Sequence, residues 1–229
     1  MSTARQDGRD QVLAAIRLSL GRDGSHSATP PVLAGSGPKP AFEGDVVERF
    51  VAKMIEKSAT VERLASMDEV GPAVQRFMLA AVAPPRLRVA GALMGATQGA
   101  THGVTTVAQA GITWPPGIEV LSGAAQREDM TSLTPCFAAV AESGGIATLS
   151  GPATPSTLNF VPDNHIVLVQ VAQVLPHFED LWALWRASGR PMPRTVNIIS
   201  GPSRTADIEQ TIQLGAHGPR RLHILLVNG

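Results

Sequence analysis

Near its C-terminal end the chain reads "NIISGPSRTADIEQTIQLGAHGPRRLHILLV", and the residue types there suit an anion. A β-rich stretch at 195–200 ends sharply at Gly201-Pro202, and Ser203 or Thr205 then offers an oxygen to cap a helix expected over 205–215. The first backbone N–H groups of such a helix, together with its dipole, attract negative charge, and the planar guanidinium of Arg204 stands beside them. Ser200, Gly201, Ser203, Arg204, Thr205 and Asp207 are therefore the candidates for ligand contact at this turn. Asp207 and Glu209 favour the same helix end, so they answer part of its positive potential. The plainer alternative leaves Ser203 and Thr205 as caps alone, with Arg204 paired to Asp207 or another surface acid.

A second stretch with chemical content is "AESGGIATLSGPATPSTLNFVPDNHIVLV" at 141–169. Glu142 precedes Ser143-Gly144-Gly145, a turn that lets backbone approach a ligand closely, and a carboxylate held there could serve as nucleophile or base. The alternative is a plain strand-entry turn with a solvated Glu. Asn159 and His165 bracket the entrance to the next strand, where His165 is either a pocket group or a hydrogen-bonded structural residue. His217, between Gly215 and Gly218, reads as a helix C-terminal residue. The six histidines form no H-E-x-x-H motif and no His/Cys cluster, so no metal site is expected. Cys136, in "LTPCFAAVAE", lacks an adjacent cationic activator and reads as a small buried hydrophobe.

The elements that must position these residues begin with a short amphipathic helix, where Val12, Ile16 and Leu20 recur at helical spacing beside Leu13. Residues 1–20 thus form an arm that needs a docking surface, because so short a helix is marginal alone in water. Residues 21–44, crowded with Gly, Ser and Pro, read as a linker, and 45–229 as the main domain. Within that domain helices are expected at 45–57, 68–82, 176–187 and 205–215, with strands at 60–65, 86–92, 117–121, 145–150, 165–171, 195–200 and 221–227. The alternation implies an α/β fold with a mostly parallel central sheet flanked by helices, in which ligands sit beyond the carboxyl ends of the strands. Residues 91–117 carry no clear pattern. Trp182 and Trp185 share one helical face and read as packing or interface residues.

Composition narrows the function. Lys plus Arg is 19 and Asp plus Glu is 19, which leaves no excess of positive charge for a nucleic-acid backbone. A single cysteine excludes an internal disulfide and a self-contained iron–sulfur cluster. The first twenty residues make a poor secretory leader and no apolar run is long enough to span a bilayer, so a cytoplasmic location is expected. Walker and dinucleotide-binding glycine motifs are missing too.

The stretches "AESGGIATLSG", "STLNFVPDNHIVLV" and "MPRTVNIISGPSRTADIEQTIQLGAHGPRRLHILLV" together resemble the lactate-utilization protein C family, the LUD-domain proteins, over about 135–228. That resemblance implies a fold like the sugar-phosphate isomerase and CoA-transferase superfamily. It also implies a role beside two iron–sulfur proteins that together oxidise L-lactate to pyruvate, with this chain as the member that carries no cluster. The matching segments place the candidate site at Glu142, Ser143 and Gly144, at Asn159 and His165, and at 200–205 with Asp207. Two functions follow as expectations. One is an accessory subunit with a small anionic ligand at the 200–205 turn, iron–sulfur partners and self-association through the N-terminal helix. The other is an independent transferase, isomerase or ligase that uses Glu142 on a phosphate- or CoA-bearing substrate, with Glu142 and Arg204 united in one deep pocket.

Overall fold

The computed structural model describes residues 3–21, 39, 41, 43–94, 112–206, 212–214 and 218–228. They divide into two units, Met1–Pro38 and Lys39–Gly229. The first contains α1 (Thr3–Ser19), with Arg17 in its last turn where a cation suits the helix dipole. The unpatterned stretch at 95–111 lies outside the described residues, as does most of the Gly/Ser/Pro-rich stretch.

In the second unit α2 (Val46–Glu56) starts where Asp45 accepts hydrogen bonds from the N–H groups of Val47 and Glu48 at 2.8 and 2.9 Å. Its Phe50 and Met54, one turn apart, are fully buried. Each such side chain contributes roughly 1.5–3 kcal/mol of transfer free energy, which anchors the helix to the sheet. After β1 (Thr60–Leu64) comes α3 (Val70–Ala80), entered through a 3₁₀ turn at Met67–Glu69. A Cβ on Gly71 of this helix would lie 2.0 Å from the carbonyl oxygen of Thr113, so the residue must be glycine for the 112–118 segment to pack there.

The remaining sheet strands of this layer are β2 (Arg86–Val89), β3 (Glu119–Ser122) and β4 (Thr131–Pro135). Next come β5 (Ala138–Val140), β6 (Gly145–Leu149), a short α4 (Thr157–Phe160) and β7 (Asn164–Gln170). The chain continues through β8 (Val174–Leu175), α5 (Phe178–Ala187), β9 (Val196–Ile199), β10 (Arg204–Ala206), β11 (Ile212–Leu214) and β12 (Arg221–Val227). Six strands form a wholly parallel sheet in the order β1-β12-β7-β4-β2-β3, so the fold is α/β with a mostly parallel central sheet flanked by helices. The central strands β7 and β12 carry almost unbroken apolar runs because both of their faces are covered.

One face of this sheet packs on α3, whose Val70, Val74 and Met78 meet Leu133, Ile166, Leu168 and Leu225. The other face packs on α2 and on a second sheet, β8-β5-β6-β9, through Phe50, Met54, Ala139, Ile146, Val167, Val169 and Ile224. α5 covers the far side of that second sheet with Leu181 and Trp185, and Trp185 meets Phe137 edge-on at 5.5 Å, while Trp182 stays at the surface. The strands expected at 145–150 and 195–200 pair antiparallel in this second layer.

One expected element is overturned. In place of a helix at 205–215, β10 and β11 pair antiparallel, Arg204 opposite Leu214 and Ala206 opposite Ile212. The segment "RTADIEQTIQL" is rich in β-branched residues, and pairing across the hairpin satisfies its described backbone where helical periodicity was too weak to do so. Residues 207–211 and 215–217, including Asp207 and His217, lie outside the described residues.

At the amino end of the sheet Asp129, 2% exposed, receives two hydrogen bonds from Arg88 at 2.8 and 3.2 Å and one from the Gln126 amide at 2.7 Å. Burial opposes its charge, but these bonds and the nearby charges of Arg88 and Arg86 outweigh burial and hold the carboxyl below its ordinary range. This pairing fixes β2 beside the entrance to β4.

Candidate functional site

The C-terminal end of α2 is the place where the two expected turns meet. After Lys57 the chain leaves the helix through Ser58, whose φ is +66°, and the β5–β6 turn and the segment after β9 close on it. Gly144 has φ +62°, and a Cβ there would lie 2.8 Å from Cβ of Lys53. Gly201 has φ +100°, and its Cβ would meet the Lys57 carbonyl oxygen at 2.8 Å. Both glycines are therefore required by the approach of backbone to α2.

Polar contacts complete the arrangement. The Lys57 ammonium donates to Oγ of Ser200 at 2.8 Å, and that hydroxyl donates to the carbonyls of Gly144 at 2.9 Å and Ser143 at 3.2 Å. The Arg204 guanidinium donates to Oγ of Ser58. Hydroxyl oxygens are neutral acceptors, so they orient Lys57 and Arg204 without cancelling their charge. Lys53 is paired with Glu56 at 2.8 Å. The Ser203 amide donates to the Pro219 carbonyl at 2.8 Å, and Thr205 pairs across the hairpin with Gln213. Since Arg204–Ala206 is a strand, a helix dipole at 203–205 supplies nothing here; what an anion would meet is the pair of side-chain cations.

Glu142 is built into the start of α5. Its Oε2 lies 2.8 Å from Nδ1 of His177, and its Oε1 accepts the Phe178 N–H at 3.2 Å. Asp180 accepts the His177 N–H at 3.3 Å, so two carboxylates serve the first turn of this helix, where negative charge is favoured. Both oxygens of Glu142 are thus engaged in local bonds that tie the carboxylate to the start of α5.

Asn159 and His165 belong to a different place, the buried layer between β4, β6 and β7. Asn159 donates to Oγ1 of Thr148 at 2.9 Å, and Nε2 of His165 lies 2.7 Å from Oγ1 of Thr134. Burial lowers the His165 pKa to about 3, which keeps the ring neutral. Cys136 is also buried, and burial pushes its thiol pKa well up, away from thiolate chemistry.

The structure thus brings together Ser143, Gly144, Ser200, Gly201 and Arg204, and separates Asn159 and His165 from them. Sequence reasoning missed Lys57, Ser58 and His177. Lys57 and Ser58 follow a helix whose end was foreseen at 57, so their place beside a turn was readable; His177 meets Glu142 across 35 residues, a pairing without local signal. Two cavities, of 260 and 410 Å³, lie along α3, and neither is lined by Glu142 or Arg204. Among the described residues no group of three His, Cys, Asp or Glu is placed to hold a metal ion, and no helix is long and apolar enough to cross a membrane.

Comparison with known proteins adds the following. The model of the LUD domain family matches residues 47–227. A lactate utilization protein C from Halalkalibacterium halodurans is 34% identical over 91 residues, 38% of this chain and 40% of that protein. One from an Exiguobacterium species is 36% identical over 100 residues, 42% of this chain and 43% of that protein. An uncharacterized protein of Neisseria meningitidis is 39% identical over 88 residues, 38% of each chain. The chain therefore spans roughly two fifths of the length of the curated relatives it matches. Among solved structures, a DUF162 family protein from Deinococcus radiodurans superposes with a TM-score of 0.56 at 21% identity, over 82% of this chain and 99% of that one, a likeness of fold.

Proposed function

The chain belongs to the LUD-domain family, and from that membership we propose that it acts in lactate utilization as a cytoplasmic, cluster-free component of a system that oxidises L-lactate to pyruvate. The observation that carries this reading is the family match across 47–227 together with relatives named lactate utilization protein C. Oxidation of lactate to pyruvate releases two electrons and two protons, and the electrons must pass to a redox centre. One buried cysteine cannot ligate an iron–sulfur cluster, which supports placing such centres on partner proteins. α1, an amphipathic helix on its own unit, is the arm through which this component meets a partner or a second copy.

Lys57 and Arg204 are the residues proposed to receive a small anion, with Ser200, Ser58, Ser143 and Gly144 holding them in place. The engagement of both Glu142 oxygens at α5 favours this reading over an independent transferase or ligase working through that carboxylate. The deciding experiment is purification of the tagged protein from lactate-grown host cells under anaerobic conditions, with iron and L-lactate dehydrogenase activity measured in the eluate. Co-elution of iron and activity is expected. Elution alone, free of iron, would remove the component reading and return attention to independent turnover.

A further inference from the structure

On the α3 face of the parallel sheet, the 410 Å³ cavity between β1, β12 and α3 has the makings of a second site. Its volume is in the range of small-molecule sites. Phe77, Ala80 and Ala81 of the α3 region give it an apolar wall, and two arginines, Arg76 and Arg221, are part of its lining. Arg76 is held by Glu62 at 2.5 Å, and Arg221 donates to Oδ1 of Asn164 at 3.2 Å. With one carboxylate against two guanidinium groups, the lining favours a single negative charge.

Behind Glu62 stands His223, 5% exposed, its ring stacked on Phe77 with centroids 4.5 Å apart. Nδ1 of His223 lies 2.7 Å from Oγ1 of Thr60, while Nε2 is buried without a hydrogen-bond partner. Oε2 of Glu62 lies 3.7 Å from Nε2, beyond hydrogen-bond reach, while Arg76 holds the other oxygen of that carboxylate. A buried polar nitrogen left without a partner is costly, and here, unlike the equally unpartnered Nδ1 of His165 in the closed core, a carboxylate and a cavity adjoin it.

We propose that this cavity binds a small organic monocarboxylate whose charged group takes Arg76 and Arg221, releasing Glu62 to close onto Nε2 of His223. The ligand's apolar carbons then lie on Phe77, Ala80 and Ala81. One carboxylate replaces another on Arg76, so both the ligand charge and the orphaned nitrogen acquire partners. The site shares no residue with the Lys57 and Arg204 cluster, and its failure would leave the lactate-utilization reading untouched.

The test follows the His223 ring resonances of the whole protein by NMR during titration with L-lactate, with pyruvate and with the neutral amide lactamide. Saturable movement of those resonances by one of the two acids, with none by lactamide, is expected. Arg76→Gln and Arg221→Gln should each weaken binding about tenfold or more, the effect of removing one charge-assisted contact. Ala81→Leu, which fills the cavity from its apolar side and spares every polar group, should abolish the movement even if an arginine variant proves unstable. Absence of saturable movement with both acids, equal response to lactamide, or undiminished binding in Ala81→Leu would overturn the proposal.

Discussion

The two faces of the parallel sheet place histidines at similar depth and use them differently. His165 on β7 looks toward the α2 side, sealed at 0% exposure, with Thr134 as the hydrogen-bond partner of Nε2 and no partner for Nδ1. His223 on the neighbouring β12 looks toward α3, hydrogen-bonded to Thr60, but it also lines a cavity and has a carboxylate 3.7 Å away. A buried imidazole is thus structural where packing closes around it and becomes available to chemistry where a charged neighbour and open space adjoin it. The glycines differ between the faces as well. A Cβ on Gly71, on the α3 side, would strike backbone at 2.0 Å, whereas one on Gly144 would meet a lysine side chain at 2.8 Å in a left-handed backbone.

The largest expected effect comes from that contrast in glycines. Gly71→Ala must displace the 112–118 segment and is expected to destabilise the protein by about 3 kcal/mol, against about 2 kcal/mol for Gly144→Ala. Urea unfolding of the two variants decides the order, and a larger loss in Gly144→Ala would mean that the α3 face yields more easily than its packing implies. His165→Ala, which empties a closed core position, should cost about 2–3 kcal/mol, and His223→Ala about 1 kcal/mol because its site already borders a cavity. Equal losses in that pair would erase the distinction between the two histidines.

Acid should expose the same pair. Burial lowers the pKa of His165 to about 3 and of His223 to about 4, with Glu62 and Thr60 working against burial at His223. Both rings are neutral when folded and protonate near 6.5 when unfolded, so below that pH the unfolded chain binds more protons. Their contribution is complete above 6.5 and is lost as pH falls toward the folded values. Each histidine should remove about 1.4 kcal/mol of stability per pH unit between pH 6 and 5, before most carboxylates titrate. The two together make about 2.8 kcal/mol per pH unit, and stability measured across that interval should lose about half of this combined slope in His223→Gln; an unchanged slope would mean that the ring is already charged in the folded state.

Much of this architecture is legible in the chain because the physics behind it is local. The runs at 164–170 and 221–227 are apolar enough to declare strands buried on both faces, and Asp45 announces α2 by capping it. β4 escapes notice because "TSLTP" looks like a turn; its hydroxyls are tolerated in the core only because partners distant in sequence reach them, Ser132 donating to the Leu158 carbonyl and Thr134 meeting His165. The pairing of β10 with β11 escapes for a related reason, since a weak helical periodicity gives way to a strand partner that local sequence does not reveal. At the candidate site, the turns at 142–144 and 200–204 stand out by their glycines, but their meeting point on Lys57 and Ser58 depends on how α2 docks.

The smallest expected effect on stability belongs to Arg204→Gln, and its smallness is informative. Arg204 is exposed and donates to a hydroxyl, so its removal should change unfolding free energy by less than about 0.5 kcal/mol. A side chain present only to brace the turn would do no more than that. If Lys57 and Arg204 together receive an anion, the same substitution should weaken phosphate or lactate binding at this cluster about tenfold, because a charge-assisted contact contributes roughly 1.5–3 kcal/mol. Calorimetric titration of the wild type and of Arg204→Gln separates the two roles. Unaltered affinity would leave the α2 side of the sheet with a structural turn.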